Sequence, residues 1–106
     1  MWLLITAIHL FYTPNQSLIC QAYGSVYEVN EPYLADLIIF EELSEVTADL
    51  LVYEQQNRLY ANKPGMWYFE DKKDFARFKI YFTPNKSEAD YIVYFTEFES
   101  FAGCSR

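Results

Sequence analysis

The stretch Lys79-Ile-Tyr-Phe-Thr-Pro-Asn-Lys-Ser-Glu-Ala-Asp90 decides how the rest of the chain is read, because its parts return at a fixed distance. Thirteen residues after Tyr81 stands Tyr94, in Val93-Tyr-Phe-Thr, and thirteen before it stands Tyr68, in Trp67-Tyr-Phe-Glu. The same unit recurs at Tyr53, Phe40 and Tyr27, so six aromatics are each preceded by Val, Ile or Trp. Eight residues after each aromatic comes an alanine: Ala35, Ala48, Ala61, Ala76, Ala89 and Ala102. The step is thirteen throughout, except that fifteen residues separate Tyr53 from Tyr68. The extra residues lie around Asn62-Lys-Pro-Gly65, where Pro-Gly marks a surface turn. Self-similarity at a fixed period makes this a repeat protein.

Thirteen residues hold one strand of about five or six residues and a single helical turn, and no more. The apolar, β-branched and aromatic runs 37–40, 50–53, 66–69, 79–83 and 91–96 read as strands. Asn30, Ser44, Asn57, Asp71 and Asn85 follow three or four residues after the aromatics and read as N-caps of the turns. Each alanine then falls where a turn presses on a strand, too close for a larger side chain. The fold class expected is α+β: a β-rich repeat domain of six units, each a short strand plus one helical turn. The aromatics are expected in the core. Just after them, the first three units carry Glu28, Glu41 and Glu54, and the last three carry Phe69, Phe82 and Phe95. Side chains alternate faces along a strand, so the C-terminal half is the expected centre of the core, and the N-terminal strands are expected to show carboxylates to solvent.

The pattern resembles the septoil-knot proteins, a family of small, often secreted proteins with repeats of the form Val-Tyr-Phe-Val-x-x-x-Ser-x-Ala-Asp. The resemblance is carried by Ile80-Tyr-Phe-Thr, Ser87-Glu-Ala-Asp90, Val93-Tyr-Phe-Thr and Ser100-Phe-Ala-Gly103, and it covers about residues 25–103. The earlier units depart from it, with Glu after the aromatic, and Asn62 and Arg77 stand in place of Asp. What the resemblance implies is a monomeric domain whose backbone is deeply tied in a knot of seven crossings. True knots are otherwise nearly absent from proteins.

Residues 1–22 stand outside the repeat, and 23–106 form a single domain. The apolar part of the leading segment is too short to span a bilayer. It has the length of a signal-peptide core, and Cys20-Gln-Ala22 is an acceptable small-residue cleavage site, so secretion or periplasmic export is expected. Two alternatives stay open: an extra core strand, or a lipoprotein signal at Ser17-Leu-Ile-Cys20 in which Cys20 is acylated. If the segment stays, Cys20 and Cys104 have the option of pairing in an oxidising compartment. Two cysteines are no disulfide framework, so the core must hold the fold.

The chain carries eight Lys and Arg against fifteen Asp and Glu, a net charge of −7. The adjacent pair Lys72 and Lys73 is flanked by Glu70, Asp71 and Asp74, so nothing resembles a basic patch. Binding to nucleic acid, or to an anionic membrane after processing, is therefore excluded from the expectations. His9 is the single histidine, which removes an imidazole-based triad and Cys/His zinc sites. Three scattered glycines make no phosphate loop. No cofactor or metal is expected.

Carboxylates are what remains for chemistry. Glu28, Glu41 and Glu54 share one repeat position, and on neighbouring strands they would stack as a ladder that splays into water, pairs with lysine or holds a hard cation. A glycosidase-like carboxylate pair is the further possibility. Asp36, Asp49 and Asp90 follow alanines and are expected to bond backbone amides where the chain re-enters a strand. Tyr33, Tyr60, Phe75 and Phe101 fall off the core positions and are expected at the surface, whereas Trp67 is expected inside. The leading reading is a secreted, non-catalytic knotted domain that binds a protein or small molecule or serves through durability. The alternative is a cation-dependent or carboxylate-based module using the acidic face.

Overall fold

Residues 19–104 are described by the computed structural model. Seven strands follow one another: β1 (Gly24–Glu28), β2 (Leu37–Glu41), β3 (Leu50–Glu54), β4 (Met66–Phe69), β5 (Phe78–Phe82), β6 (Tyr91–Phe95) and β7 (Gly103–Cys104). Between them lie six 3-10 turns of three residues each: Pro32–Leu34, Glu45–Thr47, Arg58–Tyr60, Lys73–Phe75, Lys86–Glu88 and Glu99–Phe101. The helical part is therefore thinner than an α+β class implies. So few residues must leave one strand, turn and reach the next that only a tight i→i+3 turn fits. In each turn the repeat alanine closes the ring, as when the Ala35 amide donates to the Pro32 carbonyl at 3.1 Å.

Ser44 and Asn57 cap their turns as expected, accepting from the amides of Val46 and Leu59. Asn85 stands at the cap position, but its side-chain oxygen accepts from the Ser87 hydroxyl instead. Asn30 and Asp71 are one residue too early, and Glu31 and Lys72 occupy those caps without side-chain bonds.

The strand order is β4-β1-β5-β2-β6-β3, and β3 pairs with β4 again, so six parallel strands close into a barrel. β7 adds an antiparallel pairing to β3. At every junction the register is staggered by two residues of the repeat: Val26 lies beside Phe69 on one side and Phe78 on the other, Ile39 beside Phe82 and Tyr91. Six steps of two make a shear of twelve, and an even step keeps the same face inward all the way round.

That face decides the core. The residue before each aromatic points in, and Val26, Ile39, Val52, Trp67, Ile80 and Val93 are all fully buried. The expected core aromatics Tyr27, Phe40, Tyr53, Tyr68, Tyr81 and Tyr94 are instead half-buried on the outer face, because side chains alternate and the preceding residue has already taken the inside. Both halves of the chain contribute equally to the inner ring, so the C-terminal half is not its centre. It adds Phe69, Phe78, Phe82 and Phe95 around Trp67, whose ring meets Phe78 edge-on at 5.5 Å. Leu50 and Ile19 complete the cluster.

The connections run outside. Four of the six leave at one carbonyl of a neighbouring strand and return at the carbonyl before it. The Val29 and Asp36 amides, for example, donate to Ile80 and Lys79, so the first connection lies over β5. By the same bonds the second covers β6, the fourth β1 and the fifth β2. The third turn packs on β4 and the sixth on β3. The covering relation is a closed cycle: unit one lies over five, five over two, two over six, six over three, three over four, and four over one.

Successive units advance two strand positions around the barrel, with one exception. From β3 to β4 the chain advances a single position. That slip is what makes the second circuit fall between the strands of the first, and it coincides with the long step in the sequence. Pro64 is exposed there, but Gly65 is buried, with φ +84° and its amide donating to Ala22. Its Cα faces the Gly103 backbone so closely that a Cβ would lie 2.6 Å from the Leu51 carbonyl oxygen. The Pro-Gly turn is a crossing point rather than a plain surface turn.

Candidate functional site

The interleaving decides what the acidic positions can do. Around the barrel the residues just after the aromatics alternate Phe69, Glu28, Phe82, Glu41, Phe95, Glu54. Each glutamate stands beside an apolar partner on the next strand: Glu28 beside Ile80, Glu41 beside Val93, Glu54 beside Trp67. Because β1, β2 and β3 never pair with one another, the three carboxylates do not stack into a ladder. They are exposed, as expected, while the phenylalanines between them fold toward the core. Among the described residues, no three His, Cys, Asp or Glu side chains converge as metal ligands.

The second acidic set has a structural task. The Asp36 carboxylate accepts from the Lys79 amide at 2.8 Å, Asp49 from Ile92 and Asp90 from Ile38, both at 2.9 Å. The same three aspartates donate their own amides to the carbonyls of Lys79, Ile92 and Ile38. Each therefore brackets one residue of the strand it meets, extending the ladder by a side chain where the backbone has not yet entered it. These are the bonds the sequence pattern foresaw.

Glu42, missed in the sequence, collects the Thr47 hydroxyl at 2.7 Å and the Lys86 ammonium at 3.3 Å. The Thr47 bond, then Lys86, holds its carboxyl below the ordinary range. Burial, followed by the charges of Asp90 and Asp49, raises the Tyr91 phenol. Another cluster forms where the third and fourth turns meet. Arg58 sits over the rings of Tyr68 and Phe75, with its guanidinium 2.7 Å from a buried Glu70 oxygen. That Oε2 atom is charge-paired with Arg58 without a hydrogen bond, while the Glu70 backbone amide donates to the Val26 carbonyl.

The outer turns carry most of the exposed apolar surface. Tyr33 is 81% exposed, and Tyr60, Phe75 and Phe101 are also exposed, as expected. Leu34, Leu43, Val46, Leu59 and Phe98 join them, and of these Val46 and Leu59 fall at the repeat position of Tyr33, six residues after the aromatic. The Lys86–Glu88 turn over β2 is polar throughout. Open depressions lie on the surface of the described residues. One of about 580 Å³ is lined by Lys63, Pro64, Met66, Glu99, Ser100 and the Ala102-Gly103 backbone. Another, of about 380 Å³, is lined mainly by Tyr27, Glu28, Asn30, Leu34 and Lys73.

The two ends of the described chain meet. Cys20 and Cys104 form a disulfide with their Cα atoms 5.3 Å apart. Ile19 is buried in the core, and the Ala22 carbonyl accepts from the Trp67 indole at 3.2 Å and from the Gly65 amide at 2.9 Å. The expected leader thus divides here: residues 1–18, with His9, lie outside the described residues, whereas 19–22 pack on the barrel. No helix among the described residues is long and apolar enough to cross a membrane.

A family model described as the 7(1) septoil knot domain matches residues 19–105. No curated protein and no solved structure matches the chain.

Proposed function

Because the chain belongs to the septoil knot domain family, we propose that it is a knotted, non-catalytic domain exported from the cell, whose use lies in long persistence while its outer turns bind a partner. The observation that carries this is the cyclic covering of the six units. In an ordinary sheet an edge strand peels first, and aggregation and proteolysis begin there. Here every connection lies over a strand whose own connection lies over another, so no unit is outermost. A path that circles the barrel, passes inside as strand and returns outside as turn is the winding a knotted backbone requires. Export is supported by the Cys20–Cys104 bond, since disulfides persist in oxidising compartments. A cut after Ala22 would remove Ile19 from the core and Cys20 from its bond, which supports a leader that ends before residue 19.

Two measurements test this. Intact mass of the exported protein locates the cut, and a mature chain beginning at Met1 or after residue 22 sinks the proposed boundary. Unfolding in concentrated urea, followed by Trp67 fluorescence, tests persistence in the wild type and in a Cys20→Ser/Cys104→Ser variant. Opening over hours with matching protease resistance is expected in both, because resistance of this kind follows the rate of opening. Opening of the variant within seconds removes the durability role.

A further inference from the structure

The disulfide does more than join two ends. Cys20 and Cys104 are 84 positions apart, and the ring they close contains all six units. In an open chain a knot is lost when an end slips back through the loops. In a ring no end is available, and the knot type cannot change without breaking a covalent bond. We propose that Cys20–Cys104 is a topological lock: closed after threading, it keeps even the unfolded chain knotted, and closed before threading, it bars the chain from its native fold. This rests on the knotted reading above.

The structure also orders the steps. Cys104 is brought to its partner by β7, which pairs with β3 through Leu50 and Leu51. Cys20 is held by Ile19 in the core and by the two bonds to the Ala22 carbonyl. The thiols therefore meet where the last unit docks on the first residues, at the close of the winding. Forming the bond takes two protons and two electrons from the Cys20 and Cys104 thiols. A disulfide-bearing oxidant accepts them and is itself reduced to thiols. An oxidant acting too early on the exported, unfolded chain makes a ring of the same mass and the same bond, but without the knot. Reduction, renewed folding and re-oxidation are its route back.

The test compares two rings of the full chain. One is native oxidised protein unfolded in guanidinium without reductant. The other is made by chemical synthesis, held in guanidinium from the start and oxidised there before it has ever folded. Non-reducing electrophoresis under denaturing conditions is expected to give two bands of equal mass, the native-derived ring running faster because it is more compact. On dilution the native-derived ring recovers its Trp67 fluorescence and protease resistance, and the never-folded ring does not until it is reduced and re-oxidised. A single band with equal recovery overturns the lock. The serine variant keeps the two claims apart: if it still opens over hours while the rings prove identical, durability stands and the lock falls. If it opens in seconds while the rings differ, the lock stands and durability falls.

Discussion

Ala48 is 1% exposed at the foot of the second turn, and Ala61 is also buried, whereas Ala76 and Ala89 are half-buried. The six alanines share one backbone role, closing the turn, but they differ in the room around their methyl groups. Replacing Ala48 by Leu forces extra carbons against the strand beneath and is expected to cost about 1–3 kcal/mol. Ala89→Leu has an outward path and is expected to cost clearly less. Urea midpoints of the two variants check the order, and equal loss would mean that exposure at this position does not govern fit. At the same scale, the depressed Glu42 carboxyl links stability to pH. A carboxyl whose folded pKa lies below its unfolded value stabilises the fold above the unfolded value, and that contribution fades as pH falls through the folded one. Glu42→Gln is therefore expected to be less stable than wild type at neutral pH, the difference vanishing in acid. Midpoints measured across the acid range provide the check.

At the scale of elements, the aspartate brackets carry the regularity. Asp49 joins the second connection to β6 by donating to the Ile92 carbonyl and accepting from the Ile92 amide. Asp49→Ala leaves that amide without its acceptor, at an expected cost of about 1–2 kcal/mol, and Asp49→Asn, which keeps an oxygen, about half of it. Denaturation curves that show no difference between the two would assign the loss to charge or packing. Charge is also distributed by element. Up to residue 57 the chain has eight acidic residues and no Lys or Arg, a net −8, and from residue 58 it has eight basic and seven acidic, a net +1. The first portion holds β1 to β3 and the second β4 to β6, and these strands alternate around the barrel. Lys79 lies on β5, and the other cations between residues 58 and 86 lie in the connections, as where Lys86 of the fifth turn reaches Glu42 beside the end of β2. Like charges on adjacent strands are avoided without removing a single carboxylate.

For the molecule as a whole, the irregular step is the decisive one. The slip of one strand position between β3 and β4 puts the second circuit between the strands of the first, and Gly65 makes the passage. Its φ of +84° is one that L side chains rarely adopt, and a Cβ there would collide with the Gly103 amide nitrogen and crowd the Leu51 carbonyl. Gly65→Ala is expected to cost about 2–4 kcal/mol, combining backbone strain with overpacking. Because Gly103 leads into Cys104, the same change is expected to slow disulfide closure. Thermal melts and thiol titration during refolding measure both effects, and wild-type values would mean that the crossing is looser than its geometry.

The sequence by itself determined the six units, their strands and the single turn per unit, because each is set by neighbours within thirteen residues of chain. It marked Asp36, Asp49 and Asp90 as acceptors for strand-entry amides, but their partners Lys79, Ile92 and Ile38 are brought to them only by the tertiary fold. It also marked where the regularity breaks, though not why. Only the tertiary structure decided which strands are neighbours. Period alone says that one unit follows another, and it is equally consistent with units stacking in order. The interleaved order places β5 between β1 and β2, and β6 between β2 and β3. That is why the glutamates form no ladder. The inner face was likewise undetermined, because every strand is apolar at adjacent positions and alternation cannot choose between them. Closure with a stagger of two residues makes the choice. It turns the residue before each aromatic inward on every strand, so the smaller Val and Ile, with one Trp, go fully inside while the six repeat aromatics remain outside.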